Sequence, residues 1–192
     1  MNKKVLLFIA AAVTLMLSAC ANGFEGNMER ELNNFSYTNQ QNDKVSLNDV
    51  KGTPTLVNFI FTNCDTVCPP MTFNMKEIQS AIEKEGITDY RILSFSVDPE
   101  NDSPEVLKDF MEPYTINEDN WDFLTGYSQE EITDFALDSF QAIVQDDPQS
   151  DQVIHGTSFY LVDPEGTVVK SYDGISDVPV EEIVADIKTL GK

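Results

Sequence analysis

Three side chains have types and spacing suited to chemistry at one place: Cys64, Cys68 and His155. The cysteines lie in Phe61-Thr62-Asn63-Cys64-Asp65-Thr66-Val67-Cys68-Pro69-Pro70, with three residues between them. Thiols so spaced can come within disulfide distance. As thiolates they either exchange disulfides or bind a soft metal ion. His155, in Val153-Ile154-His155-Gly156, is the only histidine of the chain. Added to two thiolates, one imidazole makes a mixed sulfur–nitrogen donor set suited to copper or zinc, and the paired sulfurs favour Cu(I). A lone histidine at a strand edge is more often simply bonded to backbone, so both chemistries of the cysteine pair stay open on residue types alone.

These residues need elements to hold them. Thr53 to Phe61 is a nearly continuous apolar run after Gly52, which predicts a central strand covered on both faces. Proline is tolerated in the first turn of a helix, so Pro69 and Pro70 place Cys68 at a helix start, with the helix running to about Lys84. Cys64 then falls in the strand-to-helix loop. The helix N-terminal field there favours thiolate over thiol. Tyr90 to Val97 alternates as a second strand. Ser103-Pro104 opens a helix, Asp122 to Thr125 is a short strand, and Ser128-Gln129-Glu130-Glu131 is a capping box opening another helix. Thr157–Val162 and Thr167–Tyr172 flank the turn Asp163-Pro164-Glu165-Gly166 and predict a hairpin, followed by a helix over Pro179–Leu190. This order predicts an α/β fold with a mixed sheet and helices on both faces. His155 falls just before the first hairpin strand.

Composition narrows the function classes. The chain has 12 basic and 33 acidic residues in 192, a balance opposed to nucleic-acid binding. One histidine excludes any site built on two or three histidines from one chain. Three cysteines are too few for a disulfide scaffold, and the odd one, Cys20, has its own setting. Lys3 and Lys4, then the apolar run Val5 to Leu17, then Leu17-Ser18-Ala19-Cys20 read as a secretory signal too short to be a comfortable bilayer span. The last four residues resemble a bacterial lipobox, which implies cleavage before Cys20 and lipidation of its thiol. Residues 1–19 are therefore read as signal peptide, 20–34 as a lipid-anchored tether, and 35–192 as the folded domain, with order beginning near Phe35. The domain would stand at the outer face of the cytoplasmic membrane. Between Asp98 and Asp151 sixteen acidic residues face only Lys108, which reads first as a solvated surface.

Four stretches together carry a family resemblance: FTNCDTVCPPMT at 61–72, SVDPENDSPEVLKDF at 96–110, WDFLTG at 121–126 and IHGTSFYLVDPEGTVVKSYDG at 154–174. They resemble the Sco (SenC/PrrC) family of copper-binding cytochrome c oxidase assembly proteins. The resemblance implies a thioredoxin-like fold in which Cys64, Cys68 and His155 bind one copper, as Cu(I) or Cu(II). It further implies a metallochaperone rather than an enzyme, with subunit II of the oxidase as partner and its binuclear copper centre as destination. A monomer is expected. Many relatives have aspartate before the histidine where this chain has Ile154, so that carboxylate cannot be carried over. Asp98 is a candidate oxygen donor in its place, though an Asp-Pro pair more often fixes a turn.

Two other readings compete. An extracytoplasmic thiol–disulfide oxidoreductase would use Cys64 and Cys68 alone as a redox pair. Such proteins usually have two intervening residues and a proline before the facing strand, where this chain has three and His155-Gly156. A peroxiredoxin-type peroxidase needs a proline and a threonine set before its cysteine, and Thr62 is out of register. Met71 and Met75 could offer thioethers to Cu(I), but their spacing suits core packing better.

Overall fold

The computed structural model describes residues 24–150 and 152–192, so the signal segment and Cys20 lie outside the described residues. The chain contributes β1 (Arg30–Glu31), β2 (Ser36–Asn39), β3 (Lys44–Ser46), the short α1 (Leu47–Val50) and β4 (Thr55–Ile60). Then come α2 (Cys68–Lys84), β5 (Arg91–Ser96), α3 (Pro104–Met111), a 3-10 turn at Glu112–Tyr114, β6 (Trp121–Thr125) and α4 (Gln129–Phe140). The C-terminal part is β7 (Val144–Asp146), β8 (Val153–His155), β9 (Ser158–Val162), β10 (Thr167–Asp173) and α5 (Val180–Leu190).

Eight strands form one mixed sheet in the order β1-β10-β9-β4-β5-β6-β2-β3. β4, β5 and β6 run parallel, and β9 pairs antiparallel with β4. Every residue of β4 is buried, as its unbroken apolar run requires of a strand covered on both faces. Phe59 points to the side closed by Phe135 and Phe140 of α4. Trp121 stacks on Phe123, which meets Phe110 of α3. The helix α2 packs along α5. This is the mixed, helix-covered sheet that the element order predicts, in the thioredoxin-like arrangement that the family resemblance implies.

The caps follow their sequence signals. Ser103 Oγ accepts from the Val106 amide at the start of α3, and Ser128 with Glu131 closes a reciprocal capping box on α4. Gly166, with φ near 91°, completes the β9–β10 turn in a conformation that favours glycine.

Three features depart from the sequence expectation. Packing starts before Phe35: β1 pairs with β10, Leu32 is buried, and Asn27 hydrogen-bonds Ser171 through both its amide nitrogen and its oxygen. The polar composition of 24–34 hides this because its hydrogen bonds are long-range. β2 and β3 form an antiparallel hairpin on the β6 edge, too short and polar to register as strands. His155 does stand just before β9, but it ends a strand of its own, β8, which pairs with β7 as a separate two-stranded ribbon that the sequence did not announce.

Candidate metal centre

The central strand delivers the cysteines. β4 ends at Ile60, and the Phe61–Val67 loop carries Cys64 before α2 begins at Cys68. Pro69 and Pro70 occupy first-turn positions, where no amide hydrogen bond is lost. The loop is held from two sides. Gln152, in the turn of the β7–β8 ribbon, donates its side-chain amide to the Asn63 carbonyl at 3.0 Å. Asp102, before α3, accepts from the Thr62 amide and hydroxyl.

The ribbon delivers the histidine. Pairing Val144 with His155 puts both on one face of it; Val144 is buried, whereas neighbouring Ile154 on the other face is exposed. The imidazole stands edge-on to the Phe61 ring, with centroids 5.7 Å apart. His155 Nδ1 lies 2.9 Å from the Gly156 carbonyl, which can only accept, so Nδ1 carries the proton and Nε2 presents a lone pair. That Nε2 lies 3.4 Å from Cys68 Sγ. The Cys68 amide in turn donates to Cys64 Sγ at 3.4 Å.

One donor atom from each of Cys64, Cys68 and His155 lies within 4.8 Å of the other two, and this is the only such cluster of three among the described residues. Both cysteines are free thiols, buried beneath the surface, and His155 is partly buried. Two sulfurs and one nitrogen this close together form a compact, soft donor set.

The two thiols are electrostatically unlike. Burial alone would raise the Cys64 thiol, but the amides of Cys68, Thr66 and Val67 turn toward its sulfur and bring it below the ordinary range. Burial pushes the Cys68 thiol far up, helped by neighbouring Cys64 and the charge of Asp102. Of the two thiols at the helix N-terminus only the loop cysteine is lowered, as the helix field predicts, because Cys68 is wholly buried. Burial also lowers the His155 imidazole, partly offset by the Gly156 carbonyl, so it is neutral and able to ligate.

The other sequence candidates sort cleanly. Asp98 does not join the cluster. Its carboxylate accepts from Asn101 Nδ2 at 2.9 and 3.0 Å, so it fixes the turn before α3. Met71 and Met75 are fully buried in the core. Sequence reasoning missed Thr62, Asp102 and Gln152, whose contacts to the loop span 40 to 89 residues and leave no local signal. No helix among the described residues is long and apolar enough to cross a membrane.

Fold and site together define a thioredoxin-like domain with a buried dithiol–imidazole centre at the exit of its central strand. Residues 25–192 match the SCO1/SenC family profile, and the chain belongs to that family. It is similar to a SCO1/SenC family lipoprotein from Bacillus anthracis, with 46% identity and a TM-score of 0.82 over 86% of this chain and 99% of that one. It is also similar to BsSco, described as a member of the Sco family of cytochrome c oxidase assembly proteins with a disulfide switch. There the identity is 50% and the TM-score 0.81, over 88% of this chain and 97% of that one. Bradyrhizobium japonicum ScoI, whose structure holds copper, is 26% identical with a TM-score of 0.70 over 87% and 99% of the two chains.

Proposed function

We propose that this protein binds a single copper ion through Cys64, Cys68 and His155 and assists assembly of the binuclear copper centre in subunit II of cytochrome c oxidase. The convergence of the three donor atoms within 4.8 Å carries this reading. The donor chemistry suits copper: two sulfurs accommodate Cu(I), and the neutral imidazole adds the harder donor that Cu(II) needs. The copper-bound relative and the assembly role stated for BsSco support it. Copper is here the cargo. The protein's part is to hold two sulfurs and one nitrogen close together, partly screened from water.

The site lies in an anchored domain in this reading. Cys20 is the lipidated residue, supported by the lipobox resemblance and by the lipoprotein name of the B. anthracis relative. Only Ala21, Asn22 and Gly23 separate Cys20 from the packed chain at Phe24. At about 3.5 Å per residue, so short a connection keeps the domain edge against the outer face of the cytoplasmic membrane. Mass spectrometry of the membrane-extracted protein should find acyl chains on Cys20, and Cys20→Ala should release the domain from membranes.

The test uses the reduced full chain in mild detergent, with Cu(II) and Cu(I) added separately. One copper per chain is expected, with an intense sulfur-to-Cu(II) charge-transfer band that Cys64→Ala or Cys68→Ala abolishes. The unequal thiols favour a second reading. A loop cysteine with a lowered pKa beside a buried, raised one suits stepwise thiol–disulfide exchange. In that case the two thiols give two electrons and two protons to the oxidised cysteine pair of subunit II and become a Cys64–Cys68 disulfide. Efficient disulfide reduction without a stable copper complex would establish that reading instead.

A further inference from the structure

Asp102 is wholly buried, and no ion pair reaches it among the described residues. Its carboxylate accepts instead from the Thr62 amide at 3.2 and 3.3 Å, from Thr62 Oγ1 at 2.5 Å and from Ser96 Oγ at 2.6 Å. Its own amide is bonded to the Asp98 carbonyl. One carboxylate therefore joins the exit of β4, the end of β5 and the entry to α3. Burying a carboxylate without a counter-charge is costly, and here only the Thr62 and Ser96 donors offset that cost.

The placement suggests what the carboxylate does. Thr62 is two residues before Cys64, and Asp102 occupies both its backbone and its side-chain donor. Gln152 holds the next carbonyl, that of Asn63, from the ribbon side. The cysteine loop is thus pinned just ahead of the sulfur that must meet Cys68 and His155. We propose that Asp102 is a positioning residue of the metal centre, acting through Thr62 to fix where Cys64 presents its sulfur. This rests on the copper reading above and adds a residue that touches neither metal nor ligand.

Ser96 supplies the control that separates positioning from general stability. Its hydroxyl binds the same carboxylate from β5, with no hydrogen bond to Thr62 or to the rest of the cysteine loop among the described residues, and accepts from the Asp98 amide. The full chain in detergent is compared as wild type, Thr62→Val, Thr62→Ser, Asp102→Asn, Ser96→Ala and the Thr62→Val/Asp102→Asn pair. Thr62→Val and Asp102→Asn should each weaken Cu(II) binding about tenfold or more. Both should shift the charge-transfer band. The double variant should be no weaker than the worse single one, because both break one linkage. Thr62→Ser keeps the hydroxyl and should match wild type. Ser96→Ala should lower the urea midpoint yet keep wild-type Cu(II) affinity. In the metal-free protein, Thr62→Val and Asp102→Asn should change the rate of Cys64 alkylation, because a displaced loop presents that sulfur differently.

Wild-type affinity and wild-type Cys64 alkylation in Thr62→Val overturn the proposal. So does a Ser96→Ala loss of affinity as large as that of Asp102→Asn. Should Asp102→Asn fail to fold, the Thr62→Val and Thr62→Ser pair decides alone. A wild-type chain that takes up no copper overturns the copper reading, while the alkylation rates still test the link from Asp102 to Cys64.

Discussion

Cys68 Sγ and His155 Nε2 lie 3.4 Å apart although 87 residues separate them in the chain. Two independent supports make the meeting. Cys68 is the first residue of α2, set by the end of the central strand and by Pro69 and Pro70. His155 is the last residue of β8, set by pairing with Val144 across the ribbon. The Gly156 carbonyl then orients the ring so that its free nitrogen faces the thiol.

His155→Ala should weaken Cu(II) binding by roughly tenfold or more and Cu(I) binding less, since imidazole matters more to the harder ion. Competition titrations with chelators of known affinity measure both. An unchanged Cu(II) affinity and spectrum would remove His155 from the ligand set.

Cys64 should be the reactive thiol of the reduced, metal-free protein. Its amide partners, acting against burial, favour the thiolate, so its alkylation should rise with pH at a lower midpoint than that of an ordinary cysteine. Burial keeps Cys68 a thiol through that range. Iodoacetamide labelling at several pH values, read by peptide mass spectrometry, should therefore mark Cys64 first. Equal labelling of both at neutral pH would contradict the asymmetry.

Ser94→Ala should destabilise the core by roughly 2 kcal/mol. The serine hydroxyl donates to Asn58 Oδ1 at 2.7 Å and accepts from Trp121 Nε1 at 2.9 Å, so its removal leaves two buried groups without that partner. Trp121 is the only tryptophan, which makes its fluorescence a direct readout of urea unfolding. A wild-type midpoint would mean that the pocket rearranges to satisfy both groups.

Asp186→Ala should cost about 3 kcal/mol. One oxygen of Asp186 accepts from Lys170 at 2.7 Å and from the Tyr172 hydroxyl at 2.8 Å, tying α5 to β10. Glu182 continues to pair with Lys170 at 2.8 Å and limits the loss. Adding Lys170→Met to the variant should recover part of the stability, because it removes a largely buried charge that keeps only its exposed partner, Glu182. A double variant less stable than Asp186→Ala would show that Lys170 contributes mainly through packing, including its contact with the Phe24 ring.

The sequence alone determined what acts through near neighbours. The apolar run of β4, the prolines after Cys68, the caps at Ser103 and Ser128 and the Asp163–Gly166 turn each decide local backbone within a few residues. They placed the cysteine pair on a strand-to-helix elbow. The motifs around Cys64, Cys68 and His155 identified the ligand candidates and the family resemblance. Tertiary structure decided everything that depends on chain segments far apart. The β7–β8 ribbon, two strands of three residues with exposed polar positions, has too little periodicity to announce itself, yet it carries His155 to Cys68. The packing of 24–34 on β10 and the grip of Asp102 on Thr62 are likewise long-range. So is the split between the two thiols. Both sit at one helix N-terminus, and it is chiefly the complete burial of Cys68, with Cys64 and Asp102 beside it, that makes it the reluctant one.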